Sequence, residues 1–191
     1  MHAPHSAVFA VAAAVALTTL ARGDEPPAGI PPPSEALSPL VAQALVPLLA
    51  EWIVQSRDAA LANGVEPVPT AVRDALADYV PVDVLERARW QVGGAGDMSL
   101  QENLFRFGYA PAVTLDYVVV FQNAADASDP KLWVHELRHV MQFSEWGVPG
   151  FAIRYLQDYE AVEKEAAEYR WQWMKLEGLI PAPSGADSED C

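Results

Sequence analysis

With 191 residues, of which 51% are hydrophobic, the chain is long enough to bury one core of domain size. Twelve Lys and Arg against 26 Asp and Glu give a formal net charge of −14, which excludes the clustered basic surface that nucleic acid requires. The single cysteine, Cys191, excludes an intramolecular disulfide and any cysteine-based metal site, so a bound metal needs His and carboxylate ligands.

Residues 1–21 are nearly uncharged, with an apolar run from Ala7 to Leu17 and small residues up to Ala21. The pattern predicts an export signal cleaved near Ala21, although no Lys or Arg precedes the run, and hence a secreted or periplasmic protein with no membrane span in the mature chain. His2 and His5 fall in this segment and carry no catalytic role. Residues 22–33, "RGDEPPAGIPPP", are too rich in proline for helix or central strand and read as a tether.

A single domain is expected over 34–180, followed by a disordered tail over 181–191. From Ser34 to Asn63 the apolar spacing is helical, with Leu40, Leu45, Leu48, Leu49 and Ile53 as core candidates and Pro47 kinking or splitting the segment. Prolines at the heads of Pro69–Val80 and Pro81–Arg89 predict two short helices. "WQV" fits a short strand, closed by the glycines 93–96, which lack the spacing of a phosphate-binding loop. Ala112–Phe121, "AVTLDYVVVF", is the strongest strand, rich in β-branched and aromatic residues. After the loop "NAADASDP", Asp129 as N-cap and Pro130 in the first turn begin a helix that Gly147 ends near Trp146. A last long helix follows Pro149-Gly150 and runs to about Leu176. The fold class expected is α+β, mostly helical, with a small sheet packed beside the motif helix and a long C-terminal helix.

The motif is "HELRH". His135 and His139 stand four residues apart, so on a helix their rings share a face one turn apart and can bind one cation as neutral imidazoles. Glu136 lies beside the first ring, where a carboxylate can act as general base toward a water activated by the metal. A catalytic zinc site needs a third protein ligand. Glu145, with no glycine turning the chain beforehand, is carried about 240° around the helix from His139 at about 100° per residue. The last helix offers Glu160, Glu163, Glu165 and Glu168. Glu160 has Lys164 one turn on, and Glu165 and Glu168 fall largely on the solvated side. Glu163 shares a face with Leu156, Tyr159, Ala166 and Ala167, where a carboxylate is costly unless it is paired or coordinates a metal. That selects Glu163.

Gln142, one turn beyond His139, reads equally as a partner of the ligand set and as an ordinary polar helix residue. Tyr155, Tyr159 and Tyr169 offer hydroxyls to an oxyanion, but packing is the better account, as it is for Trp133, Trp146, Trp171 and Trp173 at helical spacing. Arg138 and Arg154 read as surface partners of the acidic excess.

Taken together, "HELRHVMQ", the preceding "TLDYVVVF", the following "EWGVPGFAIRYL" and the "VEKEA" segment resemble a family of zinc metallopeptidases of the gluzincin type, the extracellular contractile-injection-system core domain. The resemblance spans roughly Val82 to Trp173. It implies His135, His139 and Glu163 as Zn2+ ligands, Glu136 as the general base, and a peptide or protein substrate. The proline-rich N-terminal third and the absence of an attached toxin or repeat domain depart from the family. The expected activity is peptide-bond hydrolysis; the alternative is a catalytically inactive metal-binding or partner-binding module of the same fold. The donor set also occurs with iron.

Overall fold

The computed structural model of the protein describes residues 39–93 and 110–180. The expected signal, the tether, most of the glycine cluster and the tail lie outside the described residues. In chain order the elements are α1 (Pro39–Asn63), β1 (Glu66–Pro67), α2 (Thr70–Leu76), α3 (Val82–Arg87), β2 (Arg89–Val92), β3 (Ala112–Leu115), β4 (Val118–Phe121), a 3-10 turn (Asp126–Ser128) and α4 (Pro130–Leu176). The class is the one expected: mostly helical α+β with one small mixed sheet.

The sheet has the order β1-β2-β4-β3. β2 and β4 run parallel, with Arg89 opposite Val118, while β1 and β3 flank them antiparallel. A strand covered on both faces has no polar side to show, and the "VVVF" of β4 is wholly buried. Val118 and Val120 pack into one cluster with Leu49 and Ile53 of α1 and with Phe143, Phe151 and Tyr155 of α4. Val119 and Phe121 face the other way, onto Leu76, Leu85 and the Trp133, Val134, Leu137 and Val140 stripe of α4. The motif helix is thus anchored by its apolar face against the sheet, leaving the opposite face to carry chemistry.

Of the two outcomes expected at Pro47 the split is not seen, since α1 continues as one helix through it. Leu40 and Leu48, expected in the core, are exposed at 80% and 53%, while Leu49 and Ile53 are core as expected. By length and composition the helix could cross a membrane, whereas no membrane span was expected in the mature chain. One face of it, bearing Ala42, Leu49, Ile53 and Ala60, is nevertheless packed in the core.

The strand expected over Ala112–Phe121 is two strands, β3 and β4, folded into a hairpin at Asp116 and Tyr117. The sequence pattern hides this turn because Tyr117 continues the β-rich composition and no Gly or Asn marks it. Asp116 takes φ 60°, a left-handed conformation that Asp tolerates better than most residues. Its carboxylate is held by Arg57 of α1 and Arg87 of α3, both at 2.9 Å, and the same two guanidinium groups lie 5.8 and 5.2 Å from the Tyr117 ring. Three elements meet at this turn.

The last element also differs. Gly147 (φ 68°, ψ 167°) breaks α4 where expected, but a second break at Asp158 divides the final helix, giving segments 130–146, 148–157 and 159–176. Phe143 stacks on Phe151 at 3.9 Å across the first break, and Asp158 caps the third segment by accepting from the Ala161 N–H at 3.0 Å. These two bends turn the third segment back along the first.

Replacing Asp116 with Ala removes the shared partner of two guanidinium groups and leaves a strained turn without its charge. Because Arg87 is partly solvated, the expected loss is about 2–3 kcal/mol, read by urea unfolding. An unchanged denaturation midpoint would contradict this role for the hairpin.

Candidate metal centre

Segment 130–146 begins as its sequence dictates: the Asp129 carboxylate accepts from the Lys131 N–H at 2.9 Å and Pro130 occupies the first turn. Trp133 locks the start by donating its indole N–H to the Ala127 carbonyl at 2.8 Å. With that register fixed, His135 and His139 project from one face, and their Nε2 atoms stand 3.2 Å apart.

Segment 159–176 supplies the third group. The Glu163 carboxylate places one oxygen 3.2 Å from His135 Nε2 and the other 3.5 Å from His139 Nε2. The three groups expected as ligands are therefore brought together, the ligating atoms all lying within 4.8 Å of one another. A tetrahedral zinc with bonds of about 2.0–2.1 Å to N and O has ligand-to-ligand edges of about 3.3 Å. The two Nε2 atoms, 3.2 Å apart, stand at about such an edge, as does one Glu163 oxygen 3.2 Å from His135, while the 3.5 Å contact to His139 is made by the other oxygen. With one donor atom from each residue inside 4.8 Å, the set fits a divalent cation.

A second layer fixes the histidine chemistry. The Gln142 amide donates its Nε2 hydrogens to Glu165 Oε2 at 2.9 Å and to the Val162 carbonyl at 3.2 Å, which leaves its oxygen to accept. That oxygen lies 2.8 Å from His139 Nδ1. His139 must therefore carry a hydrogen on Nδ1, so in its neutral form the lone pair is on Nε2, aimed at Glu163 and His135. Of the two readings of Gln142, the structure selects the first. Glu165 in turn pairs with Arg138, whose guanidinium also lies 5.8 Å from the Tyr169 ring. Glu165 keeps 40% of its side chain exposed, in line with its expected side of the helix, but Arg138 is only 15% exposed and is not the surface partner expected: the two close the chain Arg138, Glu165, Gln142, His139.

Other expectations resolve similarly. Glu145 is exposed and plays no part in the cluster. Lys164 pairs with Glu168 at 3.7 Å, whereas Glu160 accepts from Tyr159, so the expected Glu160–Lys164 pair is not formed. Tyr155 stacks on Phe151 at 5.5 Å, and Tyr79 and Tyr169 each donate to the other's backbone carbonyl at 2.8 and 2.9 Å, consistent with packing roles. Trp133 and Trp173 are core, but Trp171 is 53% exposed and does not pack as expected.

Glu136 is only 4% exposed. Its Oε2 accepts from the Thr114 hydroxyl of β3 at 2.7 Å, and Thr114 also reaches the Glu136 carbonyl at 3.2 Å. The sheet order makes β3 the edge strand, so the edge beside the motif helix belongs to Ala112–Leu115 and not to the "VVVF" strand. Thr114 was not legible as a site residue, since only the tertiary fold sets its strand against the motif helix.

The electrostatics follow from proximity. Burial disfavours the charged form of His139, but the Glu163 carboxylate outweighs it, with help from Glu136 and Gln142, and raises the pKa to about 9. Burial likewise works against charge on Glu163, yet His139 and His135 hold it far below the ordinary carboxylate range. His135 Nδ1 is buried and has no hydrogen-bond partner among the described residues.

Residues 67–147 match the family model described as the eCIS core domain. This is a shorter span than the resemblance read from the sequence: it reaches back to β1 and holds the sheet and the motif helix, but ends at Gly147, before Glu163. No curated protein and no solved structure matches the chain.

Two outcomes follow. A pKa raised in the folded state stabilises fully below the ordinary value of 6.5, and the contribution is lost as pH rises through about 9. The metal-free protein should therefore lose thermal stability between pH 6.5 and 9 through His139; a loss of equal size in His139→Gln would contradict this. Replacing Gln142 with Leu frees the His139 tautomer and should weaken metal affinity about 10–100-fold in a competition titration with a chromophoric chelator.

Proposed function

We propose that the chain is an exported, zinc-dependent metallopeptidase on the gluzincin plan, hydrolysing peptide bonds in a peptide or protein substrate. The observation that carries the reading is the convergence of His135, His139 and Glu163, one donor atom from each within 4.8 Å of the others, flanked by a buried Glu136. The eCIS core match supports the motif helix and its sheet as one unit. The apolar N-terminal run supports export.

His135, His139 and Glu163 would hold the metal, which when bound polarises a carbonyl and makes water acidic near neutral pH. Glu136 takes the proton of the attacking water and returns it to the leaving amine. Thr114 keeps one Glu136 oxygen engaged at 2.7 Å, so the other oxygen is the one left to move the proton. Burial of Glu136 keeps bulk water from competing for that proton. An extended substrate laid along the β3 edge by backbone pairing would pass beside this carboxylate.

Replacing Glu136 with Gln should leave one zinc bound per chain while peptide-library turnover falls about 100- to 10,000-fold. Replacing Glu163 with Gln should lower both zinc affinity and turnover. An active Glu136→Gln protein would refute the mechanism; a zinc-loaded wild type that cleaves nothing would leave the catalytically inactive metal-binding module.

A further inference from the structure

The seam that holds the triad does not end at the triad. Contacts between the two helical segments run in opposite sense: Gln142 meets Val162, His135 meets Glu163, and Lys131 stands in one cleft with Ala167 and Met174. Lys131 is one turn before His135 on the same face, and Ala167 is one turn beyond Glu163. The cleft, about 500 Å³, is lined by Lys131, Lys164, Ala167, Arg170, Trp171 and Met174 together with Asp129 and Glu168. It therefore continues the seam, starting about 5 Å from the triad along the helix axis.

Its charge is opposite to that of the chain. Lys131, Lys164 and Arg170, with Lys175 5.6 Å from the Trp171 ring, make four of the twelve Lys and Arg in a chain of net charge −14. Its two carboxylates are engaged, Asp129 as the helix cap and Glu168 with Lys164. Lys131, Arg170 and Lys175 have no ion pair among the described residues. Beside them lies Trp171, the exposed indole that packing does not explain.

We propose that this cleft is a substrate subsite that selects an acidic side chain two to three residues from the scissile bond, the spacing at which an extended peptide, rising about 3.3 Å per residue, reaches from the triad into the cleft. Trp171 would lie against the neighbouring residue. The proposal rests on the hydrolase reading of the same centre, and names the substrate class it takes: acidic peptides. The overall acidity of the chain gives the cleft its discrimination, since an anionic segment is repelled elsewhere and attracted here.

The test uses zinc-loaded full-length Glu136→Gln protein and two fluorescein-labelled decapeptides that differ only in carrying a Glu-Glu or a Gln-Gln pair. Fluorescence anisotropy should give about tenfold tighter binding of the Glu-Glu peptide at low salt, an advantage that shrinks as salt rises. Adding Lys131→Glu and Arg170→Glu together should remove that advantage while zinc content and binding of the Gln-Gln peptide stay unchanged. Equal affinity for the two peptides, or an advantage that survives the double charge reversal, overturns the subsite. Because binding is read without turnover, failure of the hydrolase reading shows up separately, as a wild type that binds the acidic peptide by charge yet leaves a peptide library intact.

Discussion

Two imidazole nitrogens and a carboxylate are held within about 3.5 Å of one another in a seam between two helical segments, and the rest of the structure is arranged to keep them there. Such a cluster is costly when empty. One ring must hold a proton between a second ring and a carboxylate. A divalent cation would take the place of that proton, accepting a lone pair from each of the three groups. The Gln142 amide makes the arrangement directional: its two donor contacts fix its oxygen toward His139, and that fixes which ring nitrogen is free.

The fold serves this constraint in layers. The apolar stripe of Trp133, Val134, Leu137 and Val140 sets the rotation of the motif helix against the sheet. Bends at Gly147 and Asp158 then return the chain so that Glu163 arrives opposite the motif. On the far side, the Asp116 turn with Arg57 and Arg87 pins the β3–β4 hairpin, and β3 brings Thr114 to Glu136. The family match covers the sheet and the motif helix but not the returning segment, so the third group comes from a part of the chain whose assignment rests on geometry.

Much of this was legible in the sequence wherever the signal is local. Asp129-Pro130 marks a helix start, His135 and His139 mark a shared face, and Glu163 stands out as a carboxylate among apolar neighbours. Reading failed where long-range contacts decide. Glu165 looked solvated from its own helix, but its partners Arg138 and Gln142 lie on another segment. The turn at Asp116 carries no Gly or Asn, because the guanidinium groups of Arg57 and Arg87 stabilise a conformation that sequence pattern alone disfavours. Leu40 and Leu48 fit the helical period of α1 but lie on the side that nothing among the described residues covers. Trp171 fits the period of its helix as well, and its exposure instead belongs to the cationic cleft.

The most direct test of the account is X-ray absorption at the zinc edge of the full-length protein, together with zinc quantification per folded chain. The account predicts one zinc per chain, with two imidazole rings and carboxylate or water oxygens at about 2.0–2.1 Å. Substoichiometric zinc in a correctly folded protein, or a ligand shell holding fewer than two imidazoles, would contradict it.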